Sequence, residues 1–253
     1  MQILLTNDDG IYAPGLAALE QELRSLGDVC VVAPATEQSG VGHSITFLSP
    51  LICKEVYDGD RLRGWAVEGS PADSVKIGIF EFCPRRPDIV VSGINGGLNA
   101  GINVLYSGTV AAAIEGAFFG ITSIAVSLEY DDHADFTRAA QMARQIIEQV
   151  LAQKSQEPQL YNLNIPTRAI RNPIGIRVVP MGVARYGEQF VRCKDPKGRT
   201  YYWATDEPAP QPGPTPTDLT ALTEGFITLT PLDYNLTKPD QLSAMNDWKF
   251  ELA

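Results

Sequence analysis

Residues 2–34, QILLTNDDGIYAPGLAALEQELRSLGDVCVVAP, decide the fold. QILLT (2–6) is a short apolar run without polar alternation, the pattern of a strand buried on both faces. After the NDDG turn, Pro14 sits where a first helical residue belongs. GLAALEQELRSLG then repeats its apolar residues at helical spacing and stops at Gly27. VCVVAP (29–34) reads as the next buried strand. Strand, helix and strand make a β-α-β unit, whose strands are parallel and whose crossover is right-handed.

The same pattern recurs along the chain. SPADSVKIGIFEF (70–82) reads as a helix opened by Ser70 and Pro71, and PDIVVSG (87–93) as a strand. GTVAAAIEGAFFG (108–120) is a helix, TSIAVSL (122–128) a strand and ADFTRAAQMARQIIEQVLAQ (134–153) a long amphipathic helix. Between the second strand and the helix at 70, ITFLSPLICKEV and LRGWAVEG read as a small antiparallel excursion. Residues 1–165 are therefore expected to form an α/β core, a doubly wound, mostly parallel, Rossmann-like sheet that binds metal or phosphate.

Composition shifts in the C-terminal region, 166–253. IRVVPMG reads as a strand, and GEQFVRCKDPKGRTYYWAT as a β-hairpin turning at Asp195-Pro196-Lys197-Gly198. DEPAPQPGPTPTD (206–218) carries five prolines and no apolar period, so an extended segment is expected. LTALTEGFITLTPL returns to a short helix and a strand. Two strands alone are marginal in water, so residues from about 183 to 216 are expected to form an arm that exchanges with a neighbouring chain. Tyr201, Tyr202 and Trp203 would supply its buried aromatic groups.

With 253 residues, 44% of them hydrophobic, the chain has an ordinary globular composition. A formal net charge of −10 argues against a nucleic-acid surface, which needs clustered Lys and Arg. It does not exclude a small phosphorylated substrate, because local charge and bound cations decide that. The four cysteines, Cys30, Cys53, Cys83 and Cys193, lack the spacing of zinc or redox motifs and read as buried free thiols. The opening residues lack a basic start and long apolar stretch, and the apolar run 110–128 is broken by Glu115 and glycines. No membrane contact is expected, and the cytoplasm is the expected location.

In open α/β sheets, ligands bind outside the carboxyl ends of the parallel strands. TNDDG (6–10), APATEQSGVGHS (33–44), SGINGGLNAGINVLYSGT (92–109) and, more loosely, EGSPADS (68–74) stand at such ends or start the neighbouring helices. Asp8, Asp9, Ser39, Asn95, Asn99 and Asn103 offer hard oxygen ligands with no Cys or His cluster, which suits Mg²⁺, Mn²⁺ or Ca²⁺. Two readings of the adjacent acids stand: a cation site, or turn chemistry with a carboxylate capping the next helix. Ser107, Gly108 and Thr109 open a helix of small residues, which is either a phosphate seat or an ordinary N-cap. GVGHSI (40–45) supports a dinucleotide fold only weakly, and G-x-x-x-x-G-K-[ST] does not occur. His43 lies in a candidate site loop, whereas His133 in EYDDHAD reads as a solvated loop residue.

Taken together, ILLTNDDGIYAPGL, VVAPATEQSGVGHSIT, GSPADSVKIG, DIVVSGINGGLNAG, YSGTVAAAIEG and TDLTALTEGFITLTPL resemble, in order, the motifs of the survival protein E (SurE) family of metal-dependent 5′/3′-nucleotidases. The resemblance covers almost the whole chain. It implies hydrolysis of nucleoside 5′-monophosphates, with 3′-monophosphates as a further class, and one divalent cation per subunit, Mg²⁺, Mn²⁺ or similar. By the resemblance Asp8 and Asp9 are catalytic, and Asp8, Asp9, Ser39 and Asn95 are the metal ligands. Ser107, Gly108 and Thr109 bind phosphate, with Asn99 beside them, and the chain forms a homodimer or homotetramer through its C-terminal part. Three departures from the family pattern stand out. No basic residue lies between AP and SG, where Glu37 stands; Ser74 replaces a frequent cysteine; and Ala111 replaces a common glycine. Two rivals use the same crevice: a nucleotide-dependent transferase with a second substrate pocket, and a non-catalytic nucleotide sensor.

Overall fold

In the computed structural model, which describes residues 1–183, 189–205 and 215–251, β1 (Gln2–Thr6) is buried along its whole length. Alternate side chains go to opposite faces. Ile3 and Leu5 pack with Leu16 and Leu19 of α1 (Pro14–Leu23) and with Ala143 and Ile147 of α4 (Phe136–Gln153). Leu4 packs on the other face with Val75 of α2 (Pro71–Ile77) and Ala112 of α3 (Gly108–Phe118). Each fully buried leucine contributes roughly 1.5–3 kcal/mol by leaving water, so an unbroken apolar run is what a two-faced strand needs.

The remaining strands are β2 (Asp28–Pro34), β3 (Cys53–Asp58), β4 (Arg61–Val67), β5 (Ile89–Gly96), β6 (Thr122–Leu128), β7 (Leu160–Ile165), β8 (Ile176–Val178), β9 (Gln189–Lys194), β10 (Thr200–Thr205) and β11 (Ile227–Leu232). Nine of the eleven form one sheet in the order β3-β4-β2-β1-β5-β6-β7-β11-β8. Pairings are parallel except β3 with β4 and β7 with β11. The sheet is thus a doubly wound, mostly parallel α/β sheet, as expected. Chain order reverses at β1, which lies between β2 and β5, and the crevice at their carboxyl ends is the switch point of the fold.

Among the described residues β9 and β10 pair only with each other, in the expected hairpin, and Gly198 (φ +80°) closes its turn by donating to Asp195 O. The strand expected to return is β11, preceded by α6 (Asp218–Thr223), and it joins the main sheet beside β7. Of the proline-rich stretch expected to be extended, 206–214 lie outside the described residues, as do 184–188 of the expected arm.

Several boundaries differ from the sequence reading. α1 ends at Leu23 rather than at Gly27, because the chain tightens there and Leu26 N donates to Leu23 O. Residues 45–52 are not a strand. Their neighbourhood is held by α2 instead: Thr46 N donates to the Asp73 carboxylate and Ser70 Oγ to Ser44 O. The cysteines are free, but only Cys30 is fully buried. A helix α7 (Pro239–Met245), not anticipated, has no buried residue. No helix among the described residues is long and apolar enough to cross a membrane.

Candidate active site

The turn after β1 shows which residue does the turn chemistry. Asn7, fully buried, accepts from Gly10 N through Oδ1 (3.2 Å) and donates through Nδ2 to Gly10 O (3.0 Å). Gly10 takes φ +100°, a conformation that L side chains rarely adopt. The N-cap of α1 is Ala13, with no side-chain cap and no acid in the first turn. Asp8 and Asp9 therefore neither close the turn nor cap the helix. Both carboxylates face the crevice.

Asp8 is 6% exposed and accepts from Thr109 Oγ1 through Oδ1 at 2.5 Å. Burial pushes its carboxyl up to about 6, and the neighbouring Asp9 charge adds to the rise, against the Thr109 hydrogen bond. Asp9 accepts from Gly96 N through Oδ2 (3.2 Å). Burial, with the Glu37 charge, raises its carboxyl as well, the Gly96 N–H opposing. Asp8 Oδ2 and Asp9 Oδ1 have no hydrogen bond among the described residues.

These acids line a cavity of about 260 Å³ with Ser39, Asn95, Asn99, Asn103 and Ser107. The structure thus brings together the hard-oxygen residues that the sequence singled out. The 36–40 loop is fastened by Gln38 N donating to Asp8 O (2.8 Å), and Asn95 donates through Nδ2 to Gly97 O (2.6 Å). That orientation leaves Asn95 Oδ1 without a hydrogen bond among the described residues. Among the described residues no Lys, Arg or His lines the cavity. Glu37 does, accepting from Ser39 Oγ. The sequence marked Glu37 only as the acid in place of a basic residue.

The first turn of α3 serves Asp8 from below. A Cβ on Gly108 would lie 2.8 Å from Asp8 Cβ and 3.1 Å from its Oδ2, so only glycine admits this approach. Gly108 and Thr109 pack against the carboxylate, while Ser107 faces the cavity. Ser107 is also the N-cap, its Oγ accepting from Val110 N at 3.1 Å. Asn99 donates through Nδ2 to Ser127 Oγ (2.9 Å) and more weakly to Thr109 Oγ1 (3.4 Å).

His43 is outside this cavity. Its Nε2 lies 2.6 Å from Oε2 of buried Glu115, and its ring stacks on Phe118 at 5.1 Å. Burial alone would raise the Glu115 carboxyl, but the His43 hydrogen bond and the Lys76 charge hold it below the usual range. His43, Leu105, Phe118, Met181 and Tyr234 line a second, mainly apolar cavity of about 380 Å³, which shares Ser107 with the first. The sequence reading found no such pocket, because its walls are more than a hundred residues apart in the chain. Ala111 stands in its wall, and Ser74 is absorbed by a bond from its Oγ to Ser70 O.

A family described as Survival protein SurE matches residues 3–188. The chain belongs to the SurE family. A relative in Rhodopirellula baltica named 5′-nucleotidase SurE is 58% identical over 249 residues, covering 98% of each chain. One of the same name in Heliobacterium modesticaldum is 42% identical, covering 98% of this chain and 92% of its own. The crystal structure of a SurE protein from Aquifex aeolicus superposes with a TM-score of 0.84 at 38% identity, covering 97% of this chain and 98% of that one.

The donor set fits a hard divalent cation. Among the described residues Asp8 and Asp9 each keep an oxygen without a hydrogen bond, Glu37 adds a third carboxylate, neutral Ser and Asn oxygens stand beside them, and no basic side chain lines the cavity. Among the described residues no three His, Cys, Asp or Glu side chains form a ready-made cage. Carboxylates with neutral oxygens and water suit Mg²⁺ or Mn²⁺ better than zinc.

Proposed function

We propose that this SurE protein is a 5′-nucleotidase, a divalent-metal-dependent phosphomonoesterase that hydrolyses nucleoside 5′-monophosphates to nucleoside and phosphate, with 3′-monophosphates as a further substrate. The observation that carries this reading is the pairing of cavities. An oxygen-lined crevice with three acids, Asp8, Asp9 and Glu37, and no basic side chain among the described residues meets an apolar cavity at Ser107. The first suits a phosphoryl group and its cation, and the second a nucleoside, which has aromatic faces to stack on Phe118 or Tyr234.

Asp8, Asp9, Ser39 and Asn95 would hold the cation, which when bound polarises phosphoryl oxygen and lowers the pKa of coordinated water. The chain's own residues do the rest. Thr109 fixes the Asp8 carboxylate by its hydroxyl, and Gly108 lets α3 come close to it. Ser107 and the N-terminal end of α3 turn partial positive charge towards the equatorial oxygens of an in-line displacement. Asn99 stands at the edge of the same seat.

The functional unit is a homodimer or homotetramer joined through the hairpin. On it Phe190, Val191, Tyr202 and Trp203 are all more than half exposed in the single chain. That many large apolar groups on a two-stranded ribbon call for a covering surface.

Phosphate release from nucleoside 5′- and 3′-monophosphates, sugar phosphates and polyphosphate, each with Mg²⁺ or Mn²⁺, tests the reading. Release from 5′-monophosphates with no acceptor present supports it and excludes a transferase. Tight nucleotide binding without turnover would replace it with a sensor.

A further inference from the structure

We propose that Asp218 is a positioning residue of the active site, whose carboxylate holds the loop carrying Asn99 and Asn103 in register with the root of the hairpin arm. The proposal rests on the function proposed above. Asp218 is fully buried, and no ion pair among the described residues includes it. Such a carboxylate is costly unless strongly hydrogen-bonded. Its Oδ2 accepts from Gly101 N at 2.8 Å, and its Oδ1 from Gly182 N and Leu219 N, each at 2.8 Å. Asp218 N donates to Pro180 O at 3.0 Å. One side chain thus ties together a site loop, the strand exit before the arm and the helix start after it.

Asp218 meets one N–H of the first turn of α6, that of Leu219, but the helix has a second N-terminal device. Thr217 and Thr220 form its capping box, with Thr217 N donating to Thr220 Oγ1 at 2.8 Å. Gly101 is where the carboxylate acts on the site. It opens the 3₁₀ turn Gly101–Leu105, which carries Asn103 and leads directly to Ser107. Asn103 O in turn accepts from Tyr106 N (3.0 Å) and Ser107 N (3.1 Å). On its other side, Asn99 is held to the sheet, its N donating to Asn164 Oδ1 (2.8 Å) and its O accepting from Asn162 Nδ2 (2.7 Å). The loop therefore has one anchor at Asn99, a second at Gly101 whose hydrogen bond goes to Asp218, and a third at Tyr106, whose O accepts from Gly42 N (2.9 Å). A shift of the arm's root at Gly182 reaches the seat through this carboxylate.

The test uses Asp218→Asn, which keeps the volume but directs an amide N–H at one of the donors, and Asp218→Ser, which leaves room for water. Four quantities are compared with the wild type: Mn²⁺ affinity, hydrogen exchange over residues 97–107, and kcat and KM for a nucleoside 5′-monophosphate. The expected result is exchange faster by roughly tenfold, the loss of one charge-assisted hydrogen bond. kcat should fall by about 10–100-fold, as small displacements of a positioned group do. Mn²⁺ affinity should stay within about threefold, because Asp8 and Asp9 are not on this loop. Folded variants with wild-type kcat and KM, or with unchanged exchange over 97–107, would overturn the proposal. A wild type that releases no phosphate would instead overturn the proposed function, and the exchange result would still decide whether Asp218 holds the loop.

Discussion

Replacing Asp8 by Asn keeps its shape and its bond from Thr109 but removes the charge, and this separates a functional acid from a structural one. The Asp8 carboxyl titrates at about 6 in the folded chain, against an ordinary value of 3.8. Between those two values the folded chain keeps a proton that the unfolded chain has lost. Metal-free stability from this group is therefore greatest below about pH 4, falls as pH rises to about 6 and is level above. The span is worth roughly 3 kcal/mol. The metal-free Asp8→Asn protein should melt above the wild type at pH 7, and the gap should close towards pH 4, while phosphatase activity is largely lost. A variant less stable than wild type at pH 7 would mean the carboxylate serves the fold. At this scale the sequence was informative because the two acids are neighbours. Of the two readings it left open, cation or turn, the turn bonds fall to the Asn7 side chain, and the cation remains part of the proposed function.

The start of α3 was legible in YSGTV: the N-cap is observed, and the phosphate seat belongs to the proposed function. Ser107 is an N-cap and faces the crevice, and Thr109 holds Asp8. Local pattern cannot distinguish these, because Asp8 and Thr109 are brought together by the sheet from 101 residues apart. His43 was ambiguous for the same reason, since its partner Glu115 lies 72 residues on. Gly108→Ala tests the element. In an exposed helix the change would favour helix formation by about 1 kcal/mol. Here the new Cβ would stand 2.8 Å from Asp8 Cβ. Activity should fall by at least about tenfold through displacement of the carboxylate, with far-UV circular dichroism unchanged. Retention of wild-type activity would show that α3 and the turn after β1 can part without consequence.

Across the whole molecule, the β-α-β rhythm fixed the sheet and its switch point, because parallel strands buried on both faces write themselves as unbroken apolar runs. The apolar cavity was hidden because its walls come from α3, the loop before it and the end of β11. The exposed aromatic hairpin was visible as two strands around DPKG, and its expected role can be weighed. Light scattering at low micromolar concentration should give a dimer or tetramer mass, and deletion of 186–203 should give a smaller, less stable species that keeps the Asp8/Asp9 site. A monomeric full-length chain would refute assembly through the hairpin. In the proposed function, the crevice at the ends of β1 and β5 hydrolyses nucleotides with a cation held by Asp8 and Asp9. Phosphate release from a nucleoside 5′-monophosphate by the metal-stripped protein, before and after Mn²⁺, beside Asp9→Asn, tests it most directly. The expected outcome is no release without metal, full release on adding Mn²⁺, and little from Asp9→Asn under either condition. Turnover by the stripped wild type, or by Asp9→Asn at the wild-type rate, would contradict it.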